Sequence, residues 1–118
     1  MYIQTHINKH IFKTKVLINK EEMKLGMMGK QFTSRFDALL FIINKPSSVV
    51  WMKNCIVPLD IIFIENGKIT QIYHNCPPCN TQKCPVYKGD GDLVIEMPGG
   101  TCKQSHIRKG NLVTFITD

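Results

Sequence analysis

The chain has 118 residues, 43% of them hydrophobic and 20% charged, and a net charge of +6. That length allows one hydrophobic core and excludes two, and the balance of apolar to charged residues excludes a disordered chain. No apolar run approaches the roughly 18 residues of a membrane-spanning helix, and Met1-Tyr2-Ile3-Gln4-Thr5-His6 lacks the basic-then-apolar order of a signal peptide, so a cytoplasmic location with no membrane partner is expected.

Residues 1–9 are polar and unpatterned and read as a loose N-terminal arm, or a weakly held edge, ahead of a single domain over 10–118. Lys9, Lys13, Lys15, Lys20, Lys24 and Lys30, against Glu21 and Glu22, concentrate positive charge in the first thirty residues. Such an arm suits nucleic acid or an acidic partner, but arginine is confined to Arg35 and Arg108, which favours a solvated lysine face. Residues 11–18 set β-branched side chains between lysines and read as a strand. Asn19-Lys20-Glu21-Glu22 has the form of a capping box opening a short helix over about 20–28, with Gly29 as its stop.

Residues 38–43 are continuously apolar, as in a strand buried on both faces, and Asn44-Lys45-Pro46-Ser47-Ser48 signals a turn after it. A strand over 49–53 would place Val49, Trp51 and Lys53 on one face, and Pro58 should break the chain beyond it. Residues 60–65 and 68–73 flank Asn66-Gly67, which suits both positive-φ positions of a type I′ hairpin and sets Glu65 opposite Lys68. Residues 74–91, rich in Cys, Pro and Gly, read as a long loop. A strand over 93–97, a helical turn from Thr101 to about His106, and a final strand over 112–116 complete the chain. The expected fold class is mainly β, a β-rich α+β single domain. Six or seven strands form a barrel-like or strongly curved antiparallel sheet with one or two short helices, because closure hides the edges of so many apolar strands.

Several of these pieces together resemble a known family. They are Gly26-Met27-Met28, Leu39-Leu40-Phe41, and above all Trp51-Met52-Lys53-Asn54 followed by Pro58-Leu59-Asp60-Ile61-Ile62-Phe63. Cys79, Cys84-Pro85, Tyr87, Val94-Ile95-Glu96, Gly100 and Gly110 continue the pattern. Over about residues 15–116 the chain resembles the DUF192 family, also called UPF0127. Ala38-Leu39 stands where that family usually has Gly-Met, Cys55 where it has threonine, Lys30 near an expected arginine, and Asn111 where it has aspartate. The resemblance implies a compact β-rich domain of unassigned activity.

Trp51, Lys53, Asn54, Asp60 and Glu96 form the candidate ligand cleft. An aromatic platform beside a cation, with polar groups where a strand is interrupted, suits a small ligand bearing an anionic or carbonyl group. The same residues also suit an internal polar network in which Lys53 pairs with Asp60 and Asn54 caps free backbone. Three functional readings follow. The first is a binding or accessory protein with a polar cleft for a small ligand. The second is an enzyme using Lys53 with Asp60 or Glu96 for acid–base chemistry, which the absence of familiar catalytic motifs disfavours. The third is a basic adaptor for nucleic acid or an acidic partner.

Five cysteines are present. Cys55 and Cys102 stand alone and read as core residues. For Cys76, Cys79 and Cys84 three states stay open: free thiols, a Cys79–Cys84 disulfide, or a zinc set completed by His74. Only Cys79 and Cys84 coincide with the resembled family. No cofactor is expected, the ligand is unidentified, and the chain is expected to be a monomer.

Overall fold

The structure, a computed structural model, describes residues 1–44 and 46–117; Lys45 of the expected turn and Asp118 lie outside the described residues. In chain order the elements are β1 (Tyr2–Ile7), β2 (His10–Leu17), α1 (Lys20–Leu25), β3 (Ala38–Ile42), β4 (Ser47–Trp51), β5 (Leu59–Glu65), β6 (Lys68–Cys76), β7 (Val86–Asp90), β8 (Leu93–Pro98), α2 (Thr101–Gln104) and β9 (Val113–Ile116). Seven strands form one sheet in the order β6-β5-β8-β3-β2-β1-β9, and β4 pairs with β7 in a separate ribbon. The large sheet curls until its two edges meet at one end. There the Ile69 amide donates to the Asn111 carbonyl at 3.0 Å and the Val113 amide to the Gly67 carbonyl at 2.8 Å.

Alternation along each strand divides the buried side chains into two layers. One face of the sheet carries Ile3, Ile7, Val16, Leu40, Ile62, Ile64, Ile95 and Met97. The other carries Leu17, Leu39, Phe41, Leu59, Ile61, Phe63 and Val94, and against it pack Met27, Met52 and Cys55. Strand β5 is apolar at nearly every position because both its faces are covered. The Asn66-Gly67 hairpin has the expected register, Glu65 opposite Lys68 and Ile64 opposite Ile69, with φ of 51° and 74° at its two turn residues. Asn19 caps α1 as expected: its Oδ1 accepts from the Glu22 amide at 2.8 Å, while its Nδ2 donates to the Glu22 carboxylate. The helix is shorter than expected, ending where Gly26 takes φ 47°.

Three expectations change. Residues 2–7 are not a loose arm but strand β1, paired with β2 on one side and β9 on the other. Its alternation of inward Ile3, Thr5 and Ile7 with outward Gln4 and His6 is masked in sequence by the polar residues and by Thr5, whose hydroxyl meets that of Thr14 at 2.6 Å. The 74–91 loop contains the end of β6 and all of β7, a strand that turns only Tyr87 and Gly89 toward the core and so needs few apolar residues. The curved sheet itself holds seven strands, within the expected six or seven, and the β4–β7 ribbon stands apart from it. Finally, the sheet is not wholly antiparallel, since β2 and β3 run parallel, joined by the crossover that contains α1. Among the described residues, no helix is long and apolar enough to cross a membrane.

Candidate functional site

An open cleft of about 1150 Å³ lies between α1, the β4–β7 ribbon and the second face of the sheet. Its apolar lining includes Met23, Met27, Phe41, Val50 and Trp51, and Glu96 and Cys55 also border it. Glu96 reaches the cleft through strand parity. In β8, Ile95 and Met97 face one core layer, so Val94 and Glu96 face the other, with Glu96 opposite Leu39 and Ile61 in the flanking strands. Gly26 keeps space beside the carboxyl. A Cβ at that position would sit 3.8 Å from Glu96 Oε1 and 3.1 Å from the Phe41 ring, in a backbone conformation that side chains rarely adopt.

Two buried side-chain oxygens among the described residues lack a hydrogen-bond partner: Glu96 Oε1 and Ser48 Oγ. Both residues line this cleft. Glu96 is only 3% exposed. Burial pushes its pKa up to about 8, so at neutral pH most of the population carries a neutral carboxyl, able to donate as well as accept. Burial, reinforced by the Glu96 charge, raises the Cys55 thiol to about 11. Cys55 is therefore a protonated lining group, not a thiolate nucleophile.

Of the five residues singled out in sequence, only Trp51 and Glu96 come together here. Strand β4 stops at Trp51, so the alternation that was to carry Lys53 onto the same face ends one residue later. Met52 turns fully inward, Lys53 donates its ammonium to the Thr81 carbonyl, and Asn54 forms an exposed turn at φ 60°. Asp60 lies on the opposite face of the sheet from Glu96, among the buried residues of the first core layer, with no exposed surface. Its Oδ1 accepts from the Asn75 amide at 2.7 Å and the Gly100 amide at 3.0 Å, and its Oδ2 from the Cys102 amide at 2.8 Å. Lys53 thus pairs with neither carboxylate: its ammonium is taken by the Thr81 carbonyl, Asp60 is engaged by backbone amides on the other face, and Glu96 is buried in the lining of the cleft.

Cys79 and Cys84 are joined by a disulfide, and Cys76 is a buried free thiol whose pKa is pushed up to about 11, mainly by burial. His74 is exposed, so the four-residue zinc set is not assembled, and no other cluster of metal-binding side chains forms among the described residues. Burial likewise raises the Cys102 thiol, with Asp60 adding to the effect. Ser48 was missed in sequence. A serine at the start of a strand carries no signal of its own, and its orphaned hydroxyl is visible only in the folded chain.

A family model described as an uncharacterized ACR, DUF192, matches residues 2–115. The chain belongs to the DUF192 family. Its function is uncharacterised, so membership assigns no reaction. No curated protein matches the sequence. Two solved structures share the DUF192 fold seen here. One is a candidate transcription regulator from Sinorhizobium meliloti 1021, with a TM-score of 0.86 and 20% identity, covering 98% of this chain and 94% of its own. The other is a protein of unknown function from Novosphingobium aromaticivorans DSM 12444, with a TM-score of 0.83 and 23% identity, covering 96% and 84%. At these identities the likeness speaks for the DUF192 fold alone.

Proposed function

We propose that this protein is a small-molecule-binding protein whose site is the cleft between α1 and the β4–β7 ribbon. The supporting observation is that the buried, unpartnered oxygens of Glu96 and Ser48 both border one cleft. Buried polar groups almost always find partners, and leaving one unmet costs about 1–3 kcal/mol. An occupant with complementary donors or acceptors relieves that cost while its apolar body covers Met23, Phe41 and Val50 and stacks against Trp51. This narrows the polar cleft expected from sequence to a mainly apolar one with two polar anchors. A cytoplasmic location belongs to the same proposal.

The test uses phenylnaphthylamine, a neutral aromatic amine that fluoresces when taken out of water. It should bind saturably and quench the emission of Trp51, the single tryptophan, by energy transfer. Glu96→Ala and Trp51→Ala should each weaken binding about fivefold, the effect of losing roughly 1 kcal/mol of contact. Unsaturable binding, or affinity indifferent to both changes, would show that the cleft is not a ligand site.

A further inference from the structure

The mouth of the cleft differs in charge from its interior. Lys20 and Lys24 on α1, Lys88 on β7 and Lys109 ahead of β9 border it, against one exposed acid among the described residues, Asp90. All four lysines are exposed, whereas Glu96 is buried in the lining of the same cleft. Lys20 and Lys24 are one helical turn apart, so they flank the same edge of α1. Lys88 pairs with Val49 across the ribbon, so its side chain shares a face with that exposed apolar residue. The opening therefore combines an apolar wall, a cationic rim and uncharged hydrogen-bonding groups inside.

We propose that the occupant is an amphipathic anion: an apolar body carrying an uncharged hydrogen-bonding group at its inner end and a carboxylate, sulfonate or phosphate at its outer end. This rests on the binding reading above and adds to it a ligand class and an orientation. An anion at the inner end is disfavoured, because burying charge beside a carboxyl, with no cation beside it among the described residues, carries a large desolvation penalty. A head group at the rim keeps its hydration on one side and meets several ammonium groups on the other. Its apolar body then lies along Met23, Phe41 and Trp51, and its inner group meets Glu96 and Ser48. The occupant is a dissolved small molecule, since the two oxygens lie too deep for the surface of a bilayer to satisfy them.

Anilinonaphthalenesulfonate has the same aromatic body as phenylnaphthylamine with a sulfonate added, so the ratio of their affinities isolates the charge. The sulfonate should bind about tenfold tighter at low salt, and its advantage should shrink as salt is added. In the triple variant Lys20→Gln, Lys24→Gln, Lys88→Gln, with folding checked by its thermal transition, the ratio should fall close to one. Equal affinities in the parent protein, or an undiminished preference in the triple variant, would overturn the anionic assignment while leaving the binding site intact. Failure of both probes to bind would overturn both readings. Cosedimentation with anionic vesicles that displaces the dissolved probe would overturn the small-molecule assignment.

Discussion

Glu96 illustrates how strand parity and burial turn an ordinary carboxylic acid into a neutral group. Its pKa rises from 4.5 to about 8 because burial disfavours the charged form. Below about pH 4.5 the group is protonated whether the chain is folded or not, and it exacts no pH-dependent penalty. Between there and about pH 8 the unfolded chain releases this proton and the folded chain keeps it. Stability therefore falls as pH rises through the window, by at most about 1.4 kcal/mol per pH unit, and levels off above it. The Cys55 thiol beside this carboxyl is raised to about 11 and adds nothing to the slope there. Urea denaturation at pH 5 and pH 8 should show Glu96→Gln gaining roughly 2–4 kcal/mol on the parent at the higher pH and little at the lower one. Parallel pH profiles for the two proteins would mean that Glu96 ionises freely in the folded state. The residue itself was legible in sequence as a carboxylate in an apolar strand. Its surroundings were not, because α1 and the ribbon reach it from distant parts of the chain.

At the scale of elements, Asp60 does for α2 what the helix cannot do for itself. The four-residue helix has no side-chain cap; its N-cap is Gly100, and the carboxylate that receives its early amides comes from β5. The same carboxylate holds the Asn75 amide near the end of β6, so one side chain ties three elements together. Those partners lie 15, 40 and 42 residues along the chain, and all are backbone N–H groups, which leave no mark in the sequence. Reading Asp60 as a cleft residue was reasonable from its place after Pro58, yet the strand turns it to the other face. Asp60→Asn keeps the shape but puts an amide donor where only acceptors are wanted. It should cost about 2–4 kcal/mol, given that hydrogen bonds to charged groups are worth roughly 1.5–3 kcal/mol each. Denaturant titration measures the loss, and amide exchange at Gly100 and Cys102 should accelerate more than exchange in β3. A neutral effect on both would assign the clamp to the backbone alone.

The whole molecule is a curled sheet with two core layers, and how far each part was foreseen follows from where its information sits. The β5–β6 hairpin is encoded within neighbouring residues by Asn66-Gly67 and its flanking alternation, so strand ends and register were both readable. Strand β7 has little apolar character of its own, since its position is set by pairing with β4 and by Gly89, where a Cβ would come within 2.2 Å of the Phe63 ring. Strand β1 matters most to the architecture, because it is the only link between β2 and β9 in the sheet order. Its Ile3 and Ile7 are 8% and 0% exposed. Burying two such side chains contributes roughly 3–6 kcal/mol before any ladder hydrogen bonds are considered, comparable with the 5–15 kcal/mol net stability of a typical domain. Removing residues 1–8 also bares the β2 edge and cuts β9 from the sheet, leaving two open edges suited to intermolecular pairing. The truncated chain should therefore lose its cooperative thermal transition or accumulate as aggregates, as read by circular dichroism and sedimentation. A truncated chain that melts within a few degrees of the full protein would return residues 1–8 to the status of a dispensable arm.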